Sequence, residues 1–319
     1  MSLITAENIS VSLGRTPILK DINFSVETGE TLAIVGETGC GKSLLCKTLL
    51  NILPQSLSVN GNIWFNIADK KRINILSSGE QILKTIRGKE IGMVFQDAFA
   101  SLNPVIKCGK QISDVLAVKS KTDHRTKKSR IFSLLEIVGL ADVTRIYNLY
   151  PHQLSGGMQQ RMALAIALAG NPRLLIADEP SSSLDSIAQK QYLDLLNRLK
   201  HAINLTLILV THDLDEAFAF ADKMLVLYAG YTAEYGNTVD IRTAPAHPYT
   251  KALLDIYQAF RENRQPTPLP GEIPSLGNPP AGCRFHPRCY RVQPACAEQA
   301  PPKKDLSGRH YTWCFNPIE

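Results

Sequence analysis

Gly36-Glu37-Thr38-Gly39-Cys40-Gly41-Lys42-Ser43 follows the apolar run TLAIV and leads into SLLCKTLLNIL. Strand, glycine-rich turn and helix in that order place the chain in the α/β class with a phosphate-binding loop. The glycines let the backbone curl so that its N–H groups point at phosphate oxygens, and the helix that follows adds its positive end. In this pattern Lys42 is placed for β- and γ-phosphates and the Ser43 hydroxyl for Mg²⁺. Cys40 puts a thiol inside the loop, where alkylation near bound nucleotide is the expectation. On its own the loop says only that a nucleotide is bound.

Four further segments narrow this. Gln96 stands in VFQD, Leu154-Ser155-Gly156-Gly157-Met158 follows, LLIADEP ends in Asp178-Glu179, and His212 lies in LVTHD. The steps are 54 residues from Lys42 to Gln96, 23 from Ser155 to Asp178 and 33 from Glu179 to His212. Asp178 and Glu179 close an apolar strand, and adjacent carboxylates there are costly unless Mg²⁺, water or a lysine balances them. Ser155 reads as the N-cap of a helix opened by two glycines, a second anion-directed terminus, with Gly170-Asn171-Pro172 as its stop.

Outward from these motifs, residues 1–35 alternate apolar and polar positions and read as strands. Residues 57–95 look strand-rich, with Asn60-Gly61 as a turn signal. From Asp97 to Pro151 the period becomes helical, IFSLLEIVGL being an amphipathic segment ended by glycine. Strands RLLIAD and LTLILVT then alternate with the helices IAQKQYLDLLNRLKHAI and DLDEAFAFA before a hairpin-like KMLVLYAGYTAEYG, which argues for a largely parallel sheet. Composition shifts near Pro245, and residues 262–282 form a proline-rich connector expected to run extended over the surface.

The chain has 319 residues, 44% of them hydrophobic and 20% charged, enough for one large domain plus an appendage. Its apolar runs are too short to span a bilayer, and no basic-then-apolar leader opens the sequence, so a cytosolic protein is expected. The net charge is +6, with much of the basic excess in residues 119–130. That run lacks stacking aromatics or a groove-entering motif, so nucleic acid is not an expected partner. It could favour an anionic membrane leaflet. Of seven cysteines, Cys283, Cys289, Cys296 and Cys314 crowd the last 40 residues. In a reducing compartment such a crowd is more often a metal or cluster site than a disulfide set.

The ordered series of five motifs resembles the ATPase domain of the ABC (ATP-binding cassette) family of P-loop NTPases. That resemblance implies an ATPase domain over residues 1–245 with a strand-rich subdomain and a helical subdomain near 97–170, followed by a cysteine-rich extension over 246–319. It implies that ATP with Mg²⁺ is bound by residues 36–43, that Asp178 binds Mg²⁺ through water, and that Glu179 polarises the attacking water. Gln96 would complete the Mg²⁺ and water shell and pass nucleotide state to a membrane subunit, and His212 would be the switch histidine at the γ-phosphate. Ser155, Gly156 and Gly157 would close over ATP held by a partner ATPase, with Asp185 of SSLD in the loop at that interface. Catalysis would rest on positioning and electrostatics. Leu13 stands where the family stacks adenine on an aromatic ring, and Cys40 where it often has serine.

The stretches AHPYTKALL (246–254), LPGEIPSL and PPAGCRFHPRC resemble the C-terminal extension of oligopeptide and dipeptide importer ATPases, with nickel importer subunits as close relatives. The spacing C-x5-C-x6-C-x17-C lacks the tight pair of a zinc knuckle and fixes no metal by itself. The resemblance implies a [4Fe–4S] cluster on Cys283, Cys289, Cys296 and Cys314; zinc, and unligated thiols or disulfides, remain as alternatives. Its task would be to pin the tail. Arg284, Arg288 and Arg291 would offset thiolate charge or simply be solvated. The implied protein is an ATP-hydrolysing subunit of a peptide importer at the cytoplasmic face of the membrane. Its partners would be a second, homologous ATPase (a heterodimer), two integral membrane permease subunits and an extracytoplasmic solute-binding protein. A nickel or metal-chelate importer, whose subunits GKSLLCKTLLNILP also suggests, is the alternative within this class. A soluble non-transport ABC ATPase or a nucleotide-dependent assembly switch is the alternative outside it.

Overall fold

A computed structural model describes residues 2–67, 71–119 and 123–318. Of the basic run, residues 120–122 lie outside the described residues. The chain forms two compact units, each assembled from separated segments.

One unit comprises Glu27–Gly29 and Ser78–Val210. Its centre is three parallel strands, Ile91–Val94, Leu174–Asp178 and Thr206–Val210, with the second in the middle. All five residues of Leu174–Asp178 and of Thr206–Val210 are buried, which is why both read as unbroken apolar runs rather than alternating ones. Each buried Leu or Ile there contributes roughly 1.5–3 kcal/mol relative to exposure. Around them lie the helices Cys108–Lys119, His124–Ile137 and Gly156–Ala169, the last packing against the other two. The amphipathic segment ends as its glycine predicts: Gly139 takes φ +75° just beyond Ile137. Ser186–Ile203 is capped by Asp185, whose carboxylate accepts from the N–H groups of Ile187 (3.0 Å) and Ala188 (2.8 Å).

The other unit comprises Ser2–Val26, Glu30–Ser77 and Thr211–Glu319. It holds a four-stranded sheet in the order Thr16–Glu27, Ser2–Leu13, Leu57–Asn66, Arg72–Asn74. Asn60-Gly61, expected as a turn, lies inside the strand Leu57–Asn66. The register against Ser2–Leu13 shifts between Glu7 and Ser10, where Asn8 has φ +54°. Gly61 (φ +107°) faces that bulge so closely that a Cβ would lie 2.5 Å from the Asn8 carbonyl oxygen. The glycine therefore serves close strand approach rather than chain reversal.

In the same unit Thr31–Val35 pairs in parallel with Lys223–Tyr228, which forms a hairpin with Tyr231–Asn237. Two short strands from the chain's end, Tyr311–Trp313 and Lys303–Asp305, continue this sheet. The tail helix Pro248–Arg261 and Phe285 pack on it: Tyr249 and Phe285 are buried with Val35, Val226 and Tyr228. Their rings meet Tyr228 at centroid distances of 4.5 and 5.0 Å. Glu234 is fully buried, yet it accepts from the backbone N–H groups of Ala246 and His247, each at 2.9 Å, and stands 2.6 Å from His310 Nε2. That carboxylate fixes the start of the tail helix against the sheet.

Candidate functional site

Within the second unit the phosphate loop joins Thr31–Val35 to the helix Lys42–Leu49. The helix stops short of the expected Leu53 because Asn51 turns left-handed at φ +52°. Gly36 is buried beneath the loop, and a Cβ there would lie 2.1 Å from the Leu227 carbonyl oxygen and 2.9 Å from Cys40 Sγ. Thr38 and Gly39 form the exposed tip. Lys42 is 4% exposed, and its Nζ donates to the carbonyls of Gly36 (2.9 Å) and Glu37 (3.3 Å), so the ammonium spans the hollow of the loop. Ser43 follows it in the first helical turn.

Cys40 departs from expectation. Its thiol is buried, and burial pushes it up to about 11 against the nearby Lys42 charge. At neutral pH it is a protonated packing group, not a reactive thiolate.

His212 shares a cleft with the loop. Gly36, Glu37, Thr38, His212 and Asp213 line one side of a space of about 610 Å³, and Leu253, Ile256, Tyr257 and Phe260 of the tail helix line the other. The exposed His212 is held by its neighbours: Thr211 Oγ1 donates to the buried Glu216 (2.6 Å) and accepts from the Asp213 N–H (3.0 Å), while Asp213 caps Leu214–Phe220. Sequence reading found the histidine but not the tail helix facing it. Leu13 ends its strand with a 53% exposed side chain.

In the first unit Asp178 is buried at the end of its strand and Glu179 is half-buried just after it. Glu179 has φ +43°, a left-handed conformation rare outside glycine. Its N–H donates to Val210 O (2.9 Å), and its carbonyl accepts from Ser182 Oγ (3.0 Å). Strain of this kind gathers at functional sites, and no sequence pattern reveals it. Gln96 Nε2 donates to Glu179 Oε2 at 3.1 Å, so the structure brings two of the predicted catalytic residues together. The Ser155 hydroxyl accepts from the Met158 N–H at 3.4 Å, the predicted cap. Gly156 is exposed beyond it and Gly157 partly so.

The tail cysteines are neighbours. Cys283 N–H donates to Cys296 O (2.8 Å). Burial, then the adjacent Cys296, Cys314 and Cys289, pushes the Cys283 thiol up to about 11. Burial likewise raises Cys289 and Cys314. As placed, the thiols are not a ligand set: among the described residues no three Cys, His, Asp or Glu side chains form a group able to hold a metal ion. Arg284 and Arg288 are committed elsewhere than expected. Arg284 donates to the carbonyls of Pro17 (2.8 Å), Ile18 (3.3 Å) and Ala229 and covers the Tyr231 ring. Arg288 donates to Glu37 at 2.8 and 3.2 Å. Arg291 donates to Asn316 and Pro317, and its N–H and charge partly oppose the rise that burial gives the Cys289 thiol. Among the described residues no helix is long and apolar enough to cross a membrane.

Comparison with known proteins agrees with this geometry. Residues 19–182 match the ABC transporter family model, and residues 233–296 match the oligopeptide/dipeptide transporter C-terminal region. The oligopeptide transport ATP-binding protein of Bacillus subtilis is 38% identical over 99% of this chain and 89% of its own. That of Escherichia coli is 38% identical over 96% and 89%. Among solved structures, a dimeric ATP-binding cassette in a post-hydrolysis state with ADP and phosphate is 28% identical. It covers 74% of this chain and 98% of its own, with TM-score 0.64. A component of an ABC transporter complex from Clostridium perfringens is 29% identical over 75% and 90%, with TM-score 0.63.

Proposed function

This chain belongs to the ABC transporter family, and we propose that it hydrolyses ATP to energise uptake of di- and oligopeptides through two integral membrane permease subunits. The observation that carries the peptide reading is the tail, where residues 233–296 match the oligopeptide/dipeptide transporter C-terminal region. A second, homologous ATPase completes the pair, an extracytoplasmic solute-binding protein delivers the solute, and the chain sits peripherally at the cytoplasmic face of the membrane.

In this reading the N–H groups of residues 36–43 and Lys42 hold the phosphates, and Leu13 offers the adenine an apolar contact. Mg²⁺ would be held by Ser43, Gln96 and, through water, Asp178; bound there, it neutralises phosphate charge. Glu179 orients and polarises the attacking water, and its bond from Gln96 Nε2 fixes the carboxylate that does so. His212 contacts the γ-phosphate and senses its loss. Ser155, Gly156 and Gly157 close over the partner's ATP, with Asp185 at that interface. Open space around both glycines supports this, since an added Cβ at either meets nothing within 4 Å in the chain itself. A [4Fe–4S] cluster on Cys283, Cys289, Cys296 and Cys314, with zinc as the alternative, rests on the tail's family match alone, since the thiols as placed do not form a ligand set, and no step of hydrolysis runs through it. Metal and sulfide analysis of the anaerobically purified chain distinguishes the two.

The decisive experiment is ATPase activity in liposomes holding this chain, its partner ATPase, the membrane subunits and the binding protein. Stimulation by di- or oligopeptides confirms the reading. Stimulation only by nickel–chelate complexes keeps the importer and reassigns its cargo. Glu179→Gln should lower turnover by about 100-fold or more and trap an ATP-bound dimer on gel filtration; unchanged turnover would remove Glu179 from catalysis.

A further inference from the structure

The phosphate loop is held from outside by two residues of the tail. The Tyr249 hydroxyl accepts the Glu37 N–H at 3.0 Å, and the Arg288 guanidinium makes a two-pronged ion pair with the Glu37 carboxylate at 2.8 and 3.2 Å. Arg288 is itself fixed: its Nε donates to Pro270 O (3.0 Å), a second N–H donates to Tyr228 Oη (3.2 Å), and its side chain is 5% exposed. Burial opposes its charge, but the bonds to Glu37 and Tyr228 hold the guanidinium above its ordinary value. Glu37 matters because its own carbonyl accepts from Lys42 Nζ. Moving that peptide moves both the lysine and the N–H groups beside it.

We propose that Arg288 is a positioning residue for nucleotide binding, anchoring Glu37 and neutralising a carboxylate that would otherwise stand bare next to the phosphates. A planar fork suits both tasks, because it fixes orientation and supplies charge where a single ammonium supplies only charge. Arg288 touches no phosphate. It acts through Glu37, and it explains why an arginine lies between two tail cysteines without serving them. The proposal rests on the reading that this loop holds Mg–ATP.

The test is steady-state ATPase in the assembled importer, with thermal unfolding of each full-length variant alongside. Arg288→Met should raise KM for Mg–ATP about tenfold while kcat changes less than about twofold. The KM defect should shrink as salt rises, because Glu37's unpaired charge becomes screened. Adding Glu37→Gln to Arg288→Met should return KM to within about threefold of wild type, a rescue that a merely structural role cannot give. Arg291→Met, which loosens the tail away from the loop, should leave KM unchanged. If Arg288→Met does not fold, Arg288→Lys carries the test, with KM expected up about threefold because charge survives but the fork is lost. Lower thermal stability with KM within twofold of wild type would overturn the proposal, as would a double variant no better than Arg288→Met. A wild-type assembly that does not hydrolyse ATP would instead sink the functional reading beneath it.

Discussion

At Gly36 an added Cβ would lie 2.1 Å from the Leu227 carbonyl oxygen, whereas at Gly156 and Gly157 it would meet nothing within 4 Å. Both places are glycine-rich turns opening a helix, and sequence motifs treat them alike. The first is glycine because the chain's own backbone already fills the space. The second is glycine although this chain makes no demand for it, which is compatible with the proposed closure over a partner's ATP. Internal packing shapes the phosphate loop; in the proposed function, the partner's ATP shapes the turn at Ser155.

The comparison breaks most visibly at Gly36. Gly36→Ala should cost on the order of 3 kcal/mol or more and abolish ATP binding, since a backbone carbonyl cannot yield as a flexible side chain can. Thermal unfolding and fluorescent-nucleotide titration of the full-length chain would check both.

A slightly smaller effect tests the loop's support from the tail. His247 Nδ1 accepts the Tyr249 N–H, and burial lowers His247 to about 4, against the opposing pull of Glu234. The unfolded chain takes up this proton first, near pH 6.5, so stability is complete above that value and is lost as pH falls toward 4. The gap is worth roughly 3 kcal/mol. His247→Asn keeps an acceptor for the Tyr249 N–H and should flatten that part of the unfolding-versus-pH profile.

The third prediction reverses the first. Gly156→Ala should leave unfolding of the isolated chain within about 0.5 kcal/mol of wild type, while ATPase activity of the assembled importer falls on the order of 100-fold. A stability loss like that of Gly36→Ala would erase the distinction between the two turns.

What the sequence disclosed follows the same division. Local chemistry was legible: Ser155 caps the helix it precedes, and Leu174–Asp178 is buried as its apolar run implies. Asn60-Gly61 misled because a bulge and a turn share the same residues, and only the opposite strand decides between them. Cys40 misled because motif position says nothing of burial. The arginines around the tail cysteines invited an electrostatic reading within their own segment, yet Arg284 and Arg288 reach Pro17 and Glu37. Periodicity and spacing report neighbours along the chain, so pairings this remote leave no trace in it. Nor does any pattern announce that Glu179 sits at φ +43°.

The pairing of Glu37 with Arg288 spans 251 residues, and the strands that finish the same unit's sheet come later still. At about 5–20 residues per second of synthesis, Glu37 waits roughly 10–50 s for its clamp to be made. Through that interval the nascent chain has the residues of a nucleotide site without their final support. A polypeptide cut short before residue 288 never acquires it, so under the proposed role of Arg288 full affinity for ATP becomes a mark of a chain translated nearly to its end.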